Sequence, residues 1–169
     1  EVMFTAHHWP RWGNARIQEV LRAQRDLYAN LNNQVLHLAN QGVTINEIHN
    51  VYEVPKDLQD KWYARGYHGS PKHNSRGVIQ RFLGFWEANP ATLIPLSPGD
   101  SAPLYVEMMG GAGKIMPKAR ELYDQGKYLE AQEILDKLVY AESQNQEAKD
   151  LLADVWEQLG YQAEGAGLR

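Results

Sequence analysis

Two histidines, His7 and His8, stand side by side at the end of a short apolar run, Val2-Met3-Phe4-Thr5-Ala6, and are followed at once by Trp9 and Pro10. A short run with β-branched and aromatic members, bounded by a breaker, predicts a buried strand. Pro10 and Gly13 predict a loop after it. Imidazoles at the exit of a strand suit a metal or acid–base site, because neutral imidazole is the commonest protein ligand for metals. The pair also fits as partly exposed loop histidines capping the helix behind them, and two histidines alone favour that plainer reading.

A second group of chemically capable residues lies in "RGYHGSPKHNSRGVIQRFLGFWEANP". Ser70-Pro71 has the form of an N-cap followed by proline at the first helical position, which predicts a helix from there to about Ala88. At about 100° per residue, His73, Arg76, Gly77, Gln80 and Gly84 share one face, and Val78, Ile79, Phe82, Phe85 and Trp86 make the core face. A His and an Arg one turn apart suit an oxyanion: the helix N-terminus adds positive potential, and the glycines admit a close ligand. A merely solvated face would look much the same. The run "MMGGAGKIM" is not a phosphate loop, since Met108 and Ile115 occupy the places of the first glycine and of the Ser or Thr; a glycine break between helices accounts for it better.

The elements that must position these groups are helical. Ile17, Val20, Leu21, Leu27, Tyr28, Leu31, Val35 and Leu38 recur at helical spacing between Asn14, read as an N-cap, and a stop at Gly42. Thr44 and Glu47 form a capping box that predicts a short helix ending before Pro55, and another helix is expected over Asp57 to Ala64. "ATLIPLSPGDSAP" is predicted to be a packed crossing loop. In the last third Ala119 and Ala153, Gly126 and Gly160, and Glu130 and Glu164 stand 34 residues apart, the period of a helix–turn–helix repeat. This resembles the tetratricopeptide pattern over about one and a half units, with Ser143 where that family usually has proline. The expected fold class is therefore all-α: a helical bundle with a tetratricopeptide-like hairpin from about residue 112, preceded by one short strand.

Composition narrows the function. The chain has 169 residues with 43% hydrophobic and 22% charged residues, ordinary for a globular protein. A net charge of −4 argues against a nucleic-acid partner, and no apolar run reaches membrane-spanning length. With no cysteine, disulfides and thiolate metal sites are excluded. The chain lacks an initiating Met and opens inside the apolar run, so it is expected to be a piece of a longer protein.

Taken together, "HHWPRWGN", "LANQGVTINEIH", "GYHGSPKHNSRGVIQRFLGFWEANPATLIPLSP" and "YVEMMGGAGKIM" resemble the all-helical dimerisation domain of the metallo-β-lactamase-type alkyl sulfatases. The resemblance covers nearly the whole chain. It implies that residues 1–13 end a preceding catalytic domain and that residues 14–169 form the dimerisation domain. It also implies a homodimer, and a small-molecule substrate, the alkyl sulfate ester, hydrolysed to alcohol and inorganic sulfate by a two-zinc enzyme. Either His7 or His8 would be the last zinc ligand, with His7 favoured because it directly follows the expected strand. The family's H-x-H-x-D-H cluster is absent here, so the zinc site is incomplete in these residues. For the sulfate group the resemblance points to Arg76 and His73, with Tyr67, His68 and Asn74 beside them. His37 and His49, within helices, read as structural. The competing reading is a non-catalytic helical scaffold.

Overall fold

In the computed structural model, which describes residues 1–169, the chain divides into two units, 1–89 and 90–169. The first unit begins with a two-stranded antiparallel ribbon, β1 (Val2–Met3) and β2 (Arg11–Trp12), with Met3 opposite Arg11. The expected strand over Val2–Ala6 is thus cut to two residues, and Phe4 is 74% exposed. Beside it lie β2 and one flank of α1, and among these residues Phe4 stays largely uncovered. A helix, α1 (Asn14–Asn40), follows. Its N-cap is Gly13 and not Asn14: the Gly13 N–H closes the ribbon on the Glu1 carbonyl at 3.2 Å, which holds Gly13 outside helical geometry.

The capping box forms only by half. The Thr44 N–H and hydroxyl both donate to Glu47 Oε2, at 3.0 and 2.7 Å, while the Glu47 amide turns to the Thr44 carbonyl. These two hydrogen bonds hold the Glu47 carboxyl below its ordinary range. A single helical turn, α2 (Ile48–Val51), leads out of it. The helix expected over Asp57–Ala64 is split into α3 (Lys56–Gln59) and a 3-10 turn (Trp62–Ala64). Gln24 of α1 donates to the Tyr63 carbonyl, and the Tyr63 hydroxyl donates to Glu19 Oε1 at 2.6 Å. The break itself is at Lys61, whose backbone is extended at φ −90° and ψ 107°, and the ties from α1 hold the turn that follows it.

Helix α4 (Pro71–Phe82) starts where Ser70-Pro71 predicts but stops six residues short of Ala88. Gly84 adopts φ 88°, the left-handed conformation that ends helices, so it acts as a stop and not as part of a face. Phe85 and Trp86 therefore lie beyond the helix, 74% and 43% exposed, instead of in the core. The core of this unit is Val35 of α1, Ile45, Ile48, Tyr52 and Ile79, with Leu31, Leu38 and Val78 packed around it.

The second unit holds α5 (Pro98–Met108), α6 (Ala112–Asp124), α7 (Tyr128–Ala141) and α8 (Gln146–Gln162). Helix α7 packs against all three others, around Ala119, Ala131, Leu135, Leu138, Leu151 and Val155. The proline-rich segment is only partly a loop. Ser97 caps α5 by accepting the Asp100 N–H, Pro98 takes the first turn, and Ile94 is 89% exposed, not packed. Gly110 and Gly111, both at positive φ, make the expected break between α5 and α6. Helices α6 and α8 begin 34 residues apart, at Ala112 and Gln146. The correspondence then fades: Ala119 is fully buried while Ala153 is exposed, and Gly160 stays inside α8 where Gly126 makes a turn. The second unit is a helical array in which α6 and α8 keep the 34-residue offset while these residue-by-residue correspondences do not follow it. No helix is long and apolar enough to cross a membrane.

Candidate functional site

The loop that follows the 3-10 turn closes over the middle of α1 and encloses a cavity of about 300 Å³. Its polar rim is His8, Gln24, Arg65, Tyr67, His68 and Asn74. Its apolar wall is Leu27, Leu31, Tyr52 and Val54, with Tyr28 at the edge. Gly66 makes the loop possible: a Cβ there would stand 2.7 Å from the Gly69 carbonyl oxygen and 3.3 Å from Pro71 Cδ. Gly69 is less constrained, since its Cβ would meet only the Asn74 amide at 3.3 Å. The short turn between the two glycines carries Tyr67 and His68 to the rim.

The histidine pair separates. His8 has φ 70°, a left-handed backbone that is uncommon outside glycine. Its ring lies edge-on to Trp62 at 6.0 Å and tilted against Tyr67 at 6.2 Å, and it lines the cavity. Arg11 sits over the other partner, 4.7 Å from the Trp62 ring centre, and fastens β2 to the 3-10 turn. His7 is exposed, does not line the cavity, and accepts the Thr5 hydroxyl at its carbonyl. No three His, Asp or Glu side chains converge as a metal site would require. One imidazole, that of His8, lines the cavity, where a catalytic zinc takes about three protein ligands.

The residues expected to hold an anion divide similarly. Tyr67, His68 and Asn74 meet at the cavity. His73 lies on a shallower neighbouring groove with Asn74, Gly77 and Arg81. Arg76 lines neither; it is solvent-exposed and stands about 160° around α4 from Asn74, at 100° per residue. The arginine among the lining residues is Arg65, which was not among the residues expected from sequence. Its signal was adjacency, a basic residue immediately before Gly-Tyr-His-Gly, and not helical spacing. His37 and His49 line no part of the cavity; His37 pairs with Gln41 at 3.2 Å, and the Nδ1 of His49 is buried without a hydrogen-bond partner.

Residues 44–169 match the family model described as alkyl sulfatase dimerisation. The whole chain is 46% identical to a linear primary-alkylsulfatase of a Pseudomonas species, covering 25% of that protein. It is 41% identical, again over its full length, to an alkyl/aryl-sulfatase of Saccharomyces cerevisiae, covering 26% of it. Among solved structures, the stereoselective inverting sec-alkylsulfatase from a Pseudomonas species superposes with a TM-score of 0.95 at 43% identity, over 99% of this chain and 27% of that one. The chain thus spans about a quarter of the length of the relatives it matches. With the family model covering most of the chain and the fold shared throughout, this protein belongs to the alkyl sulfatase dimerisation family.

Proposed function

We propose that this chain is the dimerising segment of a zinc-dependent alkyl sulfatase, and that its cavity holds the sulfate group of an alkyl sulfate ester during hydrolysis to alcohol and inorganic sulfate. The observation that carries the reading is the convergence of Arg65, Tyr67, His68 and Asn74 on one cavity, next to His8. A sulfate ester presents three peripheral oxygens that only accept hydrogen bonds, and this rim is rich in donors. Arginine, present in the lining as Arg65, carries a planar fork matched to a tetrahedral oxyanion, and Asn74 and Tyr67 are of types that add directional neutral donors. If the C–O bond breaks, negative charge builds on the departing sulfate and donors preorganised around its oxygens bind the transition state better than the ester. If the S–O bond breaks, the charge builds on the departing alkoxide oxygen, which must take a proton to leave as the alcohol. The His68 imidazole, on the same rim, is placed to donate to the leaving oxygen or to a sulfate oxygen.

Zinc, when bound, would supply an activated water or hydroxide as nucleophile. Among the residues here, His8 is the better ligand candidate than His7, because its ring faces the cavity and its orientation is fixed by Trp62 and Tyr67. The remaining ligands would come from the part of the protein that precedes residue 1, and residues 1–13 would be the end of that catalytic domain. The homodimer follows from the family to which residues 44–169 belong.

The test is steady-state kinetics on the full-length enzyme with a primary alkyl sulfate. Arg65→Ala is expected to lower kcat/KM about a hundredfold, the effect of losing roughly 3 kcal/mol of oxyanion stabilisation, with little change in melting temperature. Wild-type turnover in both Arg65→Ala and His68→Ala would favour the scaffold reading, which has no use for the cavity.

A further inference from the structure

His8 rides on the loop that joins β1 to β2, in a left-handed backbone at φ 70° that a non-glycine residue rarely adopts. Such a conformation persists only where its surroundings over-determine it. The loop is held on both sides of His8. Before it, the Thr5 hydroxyl donates to the His7 carbonyl. After it, Nη1 of Arg11 donates to the Trp9 carbonyl at 3.1 Å and, more loosely, to the Pro10 carbonyl at 3.4 Å. The same guanidinium lies over the Trp62 ring, 4.7 Å from its centre. Arginine can do both at once, because its N–H groups lie in the plane of the fork and leave its face for an aromatic ring.

Trp62 is a firm base for that contact. On either side of it in the chain, Lys61 and Tyr63 reach the carboxylate of Glu19 on α1, at 3.9 and 2.6 Å, and the Tyr63 carbonyl takes the Gln24 side chain. The His8 ring meets the same indole at 6.0 Å. Arg11 and His8 thus converge on one ring, which α1 holds in place. Trp62 is 47% exposed, and an exposed pairing of cation and ring contributes little to stability by itself. Its value lies in where it sets the histidine.

We infer that Arg11 is a positioning residue: it clasps the loop of residues 4–10 onto Trp62 and so holds the His8 imidazole at the cavity. The inference rests on the reading of His8 as a zinc ligand and deepens it, since a ligand on a short, strained loop binds metal well only if its ring is set beforehand. Arg11 touches neither the cavity nor a substrate; it acts through His8 alone.

The experiment is a double-mutant cycle on the full-length enzyme, read as zinc affinity by competition with a chromogenic chelator. Arg11→Ala is expected to weaken zinc binding about tenfold, within the range that changes behind a metal ligand cost, with the melting temperature little moved. Arg11→Lys keeps a cation for the ring but loses the planar fork, so it should fall between Arg11→Ala and the wild type. Trp62→Ala, which removes the base of the clasp, should match Arg11→Ala. In a His8→Ala background the further change Arg11→Ala should cost less than twofold, because nothing is left to position. The same tenfold loss in both backgrounds would overturn the clasp, since Arg11 would then act by another route. Wild-type zinc affinity in Arg11→Ala, with weakened binding in His8→Ala, would overturn the clasp and leave His8 as a ligand. Wild-type affinity in His8→Ala would remove the ligand reading and the clasp with it, while the anion reading of the rim still stands or falls by Arg65→Ala. If Arg11→Ala does not fold, Arg11→Lys and Trp62→Phe carry the same cycle with the same outcomes.

Discussion

Arg65 and Arg76 are both exposed, yet only Arg65 faces the cavity. In the full-length enzyme Arg76→Ala is expected to leave turnover close to wild type and to move stability by no more than about 0.5 kcal/mol, as for an ordinary surface change. Kinetics with parallel thermal melting checks this, and a large loss of kcat in Arg76→Ala would return the anion site to α4. The two loop glycines give a graded comparison. Gly66→Ala places a methyl 2.7 Å from a backbone oxygen, so the loop has to shift; about 1–3 kcal/mol of stability should go, with turnover falling as Tyr67 and His68 leave the rim. Gly69→Ala meets only the movable Asn74 amide at 3.3 Å and should be milder. Much of this rim was legible in the sequence, because two glycines flanking Tyr-His announce a tight, polar turn. Arg76 shows the limit. Helical spacing tells which residues share a face, but not toward which neighbour that face turns, and only the packing of α4 on α1 decides that.

At the scale of elements, the tie between α1 and the 3-10 turn carries the rim. Its phenol, Tyr63, has its pKa pushed up to about 12, first by burial and then by its hydrogen bond to the Glu19 carboxylate. A raised pKa means that the fold favours the neutral phenol. The tie therefore contributes fully below the ordinary tyrosine value of about 10 and is lost as pH rises through about 12. Melting temperature followed across that window should fall more steeply for the wild type than for Tyr63→Phe, and superimposable profiles would show that the tie contributes nothing. The helix expected over Asp57–Ala64 shows the same limit: the 3-10 turn after its break is held by Gln24 and Glu19, some forty residues upstream, which no local pattern announces. Local stop signals were legible only when given their proper role. Gly84 sits on the helical stripe by spacing, but its backbone ends α4, and Phe85 and Trp86 leave the core as a result.

For the whole molecule, large apolar side chains stand uncovered in both units. Helix α1 exposes Leu21 and Tyr28 as its large apolar residues, and the family match begins beyond it, at residue 44. Within the first unit Phe82, Leu83 and Phe85 are more than half exposed, and within the second Leu93, Ile94, Leu96 and Met108 are. Sedimentation velocity at micromolar concentration is expected to show a dimer that Leu21→Asp leaves intact and Ile94→Asp or Phe85→Asp weakens. A monomeric wild type would refute the dimer, and dissociation by Leu21→Asp alone would move its surface back to α1.

The backbone of His8 has a consequence for how position 8 can change over time. Its left-handed conformation admits glycine freely, asparagine and aspartate with small penalty, and β-branched residues hardly at all. Its ring, exposed but in edge contact with Trp62 and Tyr67, favours a flat aromatic side chain instead. The substitutions that satisfy one filter fail the other, so the position has almost no neutral neighbours in sequence space. His8→Gly relaxes the backbone and empties the ring's place, whereas His8→Asn keeps the backbone and a polar tip of different reach. Comparing the two separates selection for shape from selection for chemistry at a single residue.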